Sequence, residues 1–158
     1  MIERGKEEVK LTSSSFNHGE MIPRHHGRGF DNSAPSLCWE DVPVETRTFA
    51  LVCRDPDALA GTWTHWVVYN IPAERCCLPS DLGRAIETSD GIRQGLNSWG
   101  ESGYDGPQPP SGVHRYYFTL YALDEELDLK GGAPLHVLEE TMEGHVLAKT
   151  ELMGRFSK

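Results

Sequence analysis

Ten prolines and sixteen glycines break this chain into short apolar runs. Proline fixes its own backbone angle and carries no N–H, and glycine turns at little steric cost, so strands and turns are favoured over long helices. Three runs read as strands. Thr46 to Cys53 becomes continuously apolar, as a strand covered on both faces would. Trp63 to Asn70 is rich in aromatic and β-branched residues, and Pro72 stops it. Arg115 to Leu123 is the longest, and Tyr116, Phe118, Leu120 and Ala122 form one apolar face with His114 at its entrance.

The flanks read differently. Val9 to Ser15 suits an entry strand, and residues 16–36 suit a loop with one short strand. Ala73 to Val113 is a long connection dense in Gly, Pro, Ser and Asp, and connections of that length are usually functional. After Gly131-Gly132, Leu135, Leu138, Met142 and Val146 recur at helical spacing. Pro134 suits a first turn and Gly154 a stop, so one C-terminal amphipathic helix of about three to five turns is expected, holding His136 and His145. The architecture is mainly β with a terminal helix on one side.

A length of 158 residues argues for a single domain, and no disulfide or metal is needed to fold it. The net charge of −9 excludes a broad basic face for nucleic acid and disfavours a polybasic membrane contact. No segment approaches the ~20 apolar residues of a membrane-spanning helix. The charged N-terminus lacks the apolar core of a secretory signal, so a cytoplasmic protein is expected. Cys38, Cys53, Cys76 and Cys77 form no CxxC pair, and adjacent Cys76 and Cys77 cannot easily bridge each other, so four reduced thiols are expected.

Two segments concentrate the residues that do chemistry. Asp55-Pro56-Asp57 follows the first strand, and His65 lies ten residues beyond Asp55. Gly106-Pro107-Gln108-Pro109-Pro110-Ser111-Gly112-Val113-His114-Arg115-Tyr116 is a proline-stiffened turn leading into the longest strand. Such a turn is already ordered and loses little entropy when a ligand docks. His114 and Tyr116 point to one face, where an imidazole and a phenol offer two donors to an anionic oxygen. His25-His26, with His18 nearby, have no Cys or carboxylate at ligand spacing, so no metal is expected there, and no cofactor elsewhere. No GxSxG elbow occurs.

The segments Asp55-Pro56-Asp57-Ala58 … Trp63-Thr64-His65-Trp66-Val67-Val68-Tyr69-Asn70-Ile71-Pro72 and Gly103-Tyr104-Asp105-Gly106 through Tyr116 resemble two signatures of the phosphatidylethanolamine-binding protein, or Raf kinase inhibitor-like, family, in its bacterial and archaeal branch. Gly19-Glu20-Met21-Ile22-Pro23, Pro35-Ser36-Leu37-Cys38-Trp39, Gln94-Gly95-Leu96-Asn97 and Gly144-His145-Val146-Leu147-Ala148 extend the resemblance over residues 11–156, leaving 1–10 as a polar extension. It implies a β-sandwich around a large antiparallel sheet, with helices towards the C-terminal end. It also implies a small anion pocket at the sheet edge, formed here by Asp55, Asp57, His65, Pro109, Gly112, His114 and Tyr116.

The implied function is non-enzymatic binding of a small phosphoryl or carboxylate ligand, such as a phospholipid head group. Inhibition of a partner kinase or protease is the alternative, hydrolysis of a small ester or phosphoester is a third reading, and the resemblance admits a homodimer. Four positions depart from the family pattern. Leu59 stands where proline is common, Gln108 where many bacterial members carry cysteine, His25-His26-Gly27 where Tyr-Thr-Cys is frequent, and Ala34 where serine precedes Pro35.

Overall fold

The computed structural model describes residues 9–158. Of the expected polar extension, residues 1–8 lie outside the described residues, while Val9 is buried. Strands β1 (Lys10–Thr12) and β2 (Cys38–Glu40) pair in a small antiparallel sheet. The large sheet comprises β3 (Thr48–Asp55), β4 (Trp63–Pro72), β5 (Arg93–Gln94), β6 (Val113–Leu123) and β7 (Val146–Ser157). Its order is β5-β4-β3-β6-β7, antiparallel throughout.

Strand β3 sits at the centre because both of its faces are apolar. Phe49, Leu51 and Cys53 face one core with Trp66, Phe118 and Leu120, which the N-terminal segment and the small sheet cover through Leu11, Phe16, Ile22, Leu37 and Trp39. Ala50 and Val52 face the other core with Val67 and Tyr69, closed by Leu127, Leu138 and Met142. Two layers on one sheet make the sandwich. Burying such side chains is the main favourable term for the fold, at roughly 1.5–3 kcal/mol for each large one.

The C-terminal region corrects the helical expectation. Helix α1 (Leu135–Met142) has eight residues, and Gly144, at φ +85°, ends it and turns the chain. Val146 onward becomes β7, so His145 lies outside the helix and His136 within it. Leu152, Gly154 and Phe156 alternate inward at strand period. The register matches Tyr116 with Gly154 and His114 with Phe156 along nearly the whole of β6. Pairing over that length outweighs a weak helical stripe interrupted by Gly144.

The cysteine expectation also fails. Cys38 and Cys77 form a disulfide, while Cys53 is a buried thiol and Cys76 an exposed one. Segment 76–78 runs antiparallel to β2: Trp39 N–H donates to Cys76 O, and Leu78 N–H donates to Leu37 O. The two half-cystines are therefore direct cross-strand partners, 4.0 Å apart at Cα, despite a separation of 39 residues. The cysteines thus lend no support to a reducing compartment. Among the described residues no helix is long and apolar enough to cross a membrane.

Candidate functional site

Antiparallel pairing sets where the site forms. The end of β3 must lie beside the start of β4 and the start of β6, and Asp55, Trp63–His65 and His114 occupy those positions. The long connection between β4 and β6 folds over the same end of the sheet. It supplies Trp99 and the stretch from Gln108 to Pro110. Gly112, at φ +67°, makes the turn that returns the chain into β6, a conformation that costs a residue with Cβ more than it costs glycine.

Asp55 organises one side of the site. Its Oδ1 accepts the Asp57 N–H at 2.7 Å, a turn in which the side chain replaces a backbone acceptor. Its Oδ2 accepts His114 Nδ1–H at 2.7 Å, both side chains being buried. The Nδ1 proton is thus fixed, and Nε2 is the edge of His114 left for the cavity. Tyr116 stacks 6.5 Å from His114, and burial, with the Asp55 charge beside it, pushes its phenol pKa far up, so it remains an O–H donor.

His65 is held in a parallel way by a different partner. Its Nδ1–H donates to the Asp105 backbone carbonyl at 2.6 Å, again leaving Nε2 free. Burial lowers its pKa, outweighing the nearby acceptors, and keeps the ring neutral. Trp99 and Tyr116 meet it edge-on at 5.1 and 5.2 Å. Asp105 itself is 2% exposed. Burial disfavours its charge, but hydrogen bonds from Arg84, Asn32 and Asn97 outweigh burial and hold its pKa below the ordinary value.

The result is a cavity of about 290 Å³ lined by Asp55, Trp63, His65, Trp99, His114 and Tyr116, with Ala58, Leu59 and Gln108–Pro110 at its sides. That size suits a small ligand group. Five of the seven residues expected from the sequence come together here: Asp55, His65, Pro109, His114 and Tyr116. Asp57 and Gly112 do not line it. Asp57 turns outward to a two-pronged contact with Arg115, at 2.7 and 2.9 Å, and that guanidinium holds its pKa at about 2. Gly112 acts through its backbone alone.

Sequence reasoning missed Trp63 and Trp99 as walls and Asp105 as the support of His65. A tryptophan flanked by Ser98 and Gly100 in a polar connection was the available signal. His25 and His26 sit in a short 3₁₀ turn, Arg24–His26, where His26 Nδ1–H donates to Ser33 O at 2.6 Å. Among the described residues no three His, Cys, Asp or Glu side chains converge on a metal position.

Comparison with known proteins agrees with this architecture along nearly the whole chain. A family model described as phosphatidylethanolamine-binding protein matches residues 12–157. A UPF0098 protein of Methanothermobacter thermautotrophicus is 45% identical, over 95% of this chain and 99% of its own length. The UPF0098 protein YbhB of Escherichia coli is 40% identical, over 94% of this chain and 100% of its own length. The crystal structure of a phosphatidylethanolamine-binding protein homolog from Chlamydia trachomatis superposes with a TM-score of 0.87 at 37% identity, covering 97% of this chain and 99% of that one. That of E. coli YbcL, described as a member of the mammalian PEBP family, gives 0.87 at 32% identity, covering 96% and 99%. The order of strands, the two signature segments and these matches have one reading: the chain belongs to the phosphatidylethanolamine-binding protein family.

Proposed function

We propose that the protein binds a small anionic group, phosphoryl or carboxylate, in the cavity between His65 and His114, and releases it unchanged. The observation that carries this is the Asp55–His114 pair beside Tyr116. Protonated on Nε2, His114 becomes a charged donor whose second proton is already bound by Asp55, and the Tyr116 hydroxyl donates beside it. A hydrogen bond to a charged group is roughly twice as strong as a neutral one. His65, neutral through burial, orders the aromatic wall rather than supplying charge.

Phenyl sulfate tests the reading cleanly, since its charge stays constant across neutral pH. Calorimetric titration at pH 6 is expected to show binding by wild type that His114→Gln weakens. No binding by wild type, or an unaffected variant, would overturn the proposal. Appearance of phenol from phenyl phosphate under the same conditions would overturn release unchanged. Regulation of a kinase or protease is the second reading: Leu59, 91% exposed at the cavity's side, is an apolar contact a protein partner would meet early.

A further inference from the structure

The charges built into the cavity do not by themselves favour an anion. Asp55 is a buried carboxylate, and His65 is neutral. With His114 protonated, the Asp55–His114 pair sums to zero; with His114 neutral, the pair is negative. A net positive field has to come from a neighbouring side chain.

Arg28 meets that requirement. Its guanidinium carbon lies 4.4 Å from the centre of the Trp99 ring, and its Nη1–H donates to Gln108 Oε1 at 3.1 Å. Both partners line the cavity. Its backbone N–H donates to Pro107 O at 3.0 Å, which anchors it against the proline-rich wall. The charge is about two-thirds shielded from solvent, its side chain being 33% exposed, so water screens it only in part.

The one carboxylate in ion-pair range of it among the described residues is that of Asp105, which the Arg84 guanidinium already engages more closely. Asp105 is the nearest, with Oδ1 3.5 Å from Arg28 Nε, beyond the usual hydrogen-bond range. Its oxygens already accept two bonds from Arg84, at 2.8 Å each, and one each from Asn32 and Asn97, at 3.0 and 2.9 Å. Those four bonds fill the roughly four acceptor positions of a carboxylate. Arg115 takes Asp57, while Arg84 and Arg28 share the single carboxylate of Asp105, so that cluster carries one surplus positive charge.

We infer that Arg28 is the charge-selecting residue of the cavity, favouring a doubly charged phosphate monoester over a singly charged anion of the same shape. The inference rests on the anion-binding reading above. A purely mechanical role, in which Arg28 braces Trp99, makes a different prediction. Coulomb energy is proportional to ligand charge, so loss of Arg28 should weaken a dianion by the square of the factor that applies to a monoanion. Loss of a brace weakens both by the same factor.

The test is titration of wild type, Arg28→Gln and Arg28→Lys with phenyl phosphate and phenyl sulfate at pH 7.5. The two esters are tetrahedral analogues carrying charges of about −2 and −1. Arg28→Gln is expected to lower affinity about 10-fold for the phosphate and about 3-fold for the sulfate, while Arg28→Lys keeps the wild-type preference. In wild type, added salt should narrow the phosphate-over-sulfate preference. Equal losses for both esters, no loss at all, or Arg28→Lys behaving as Arg28→Gln would overturn the role of Arg28 and leave the cavity reading standing. Wild type binding neither ester would overturn the cavity reading, and the role of Arg28 with it. Should Arg28→Gln melt at a lower temperature than wild type, the Arg28→Lys comparison and the salt series decide the question alone.

Discussion

At the scale of single residues, the two cavity histidines differ in what orients them. A carboxylate holds His114, and a backbone carbonyl holds His65. Both residues were legible in the sequence because they stand at strand entrances beside unusual turns. Asp105 and Arg28 were not, since each acts through partners far along the chain: Asp105 meets Asn32, and Arg28 meets Gln108. The buried imidazoles also set an acid limit. Burial lowers the pKa of His65 and of His26, so below the unfolded value of about 6.5 the unfolded chain binds more protons than the native one. Stability should therefore fall as pH drops from about 6.5, before most carboxylates titrate. Thermal melts from pH 7 to pH 5 are expected to show this decline, with a shallower slope in His65→Gln; an unchanged slope would refute the assignment.

At the scale of elements, the loop joining Asp105 to Pro110 supplies both the carbonyl that orients His65 and part of the cavity wall. Gly106 N–H donates to Asn32 Oδ1 at 2.7 Å, and a Cβ on Gly106 would run into the His26 carbonyl and the Tyr104 hydroxyl. The nearer of the two, the His26 carbonyl, is backbone and cannot rotate aside. Gly106→Ala should cost about 1–3 kcal/mol by overpacking and should also loosen the carbonyl that orients His65. Urea unfolding checks the first effect, and titration with phenyl sulfate checks the second; wild-type values in both would show that the loop tolerates the shift. The other element-scale lesson is β7. Its inward residues Leu152, Gly154 and Phe156 alternate correctly, but only the partner strand β6 makes that alternation decisive. A helical stripe through Leu135, Leu138 and Met142 was real, and it ends where Gly144 takes a left-handed turn.

At the scale of the whole molecule, the Cys38–Cys77 bridge ties the small sheet to the loop that follows β4. Closing a segment of 39 residues removes disorder from the unfolded chain, a contribution of roughly 2–4 kcal/mol. Denaturant unfolding with and without reductant, and of a Cys38→Ser/Cys77→Ser double variant, should show that loss. Coincident curves would mean that packing of Leu37 and Trp39 alone holds the layer.

The sequence by itself determined the strand-rich centre and the two turns that carry His65 and His114, and its signature segments carried the family resemblance. The centre and the turns follow from local pattern: apolar runs, proline and glycine punctuation, and side chains that alternate at period two. Only the tertiary structure decided that Asp57 faces away from the cavity and that Cys38 meets Cys77. It alone turned the last twelve strand residues into the edge of the sheet and made Arg28 share the carboxylate of Asp105 with Arg84. Each of these depends on which distant segment lies alongside, and that is settled by the burial of the whole core rather than by neighbours in the chain.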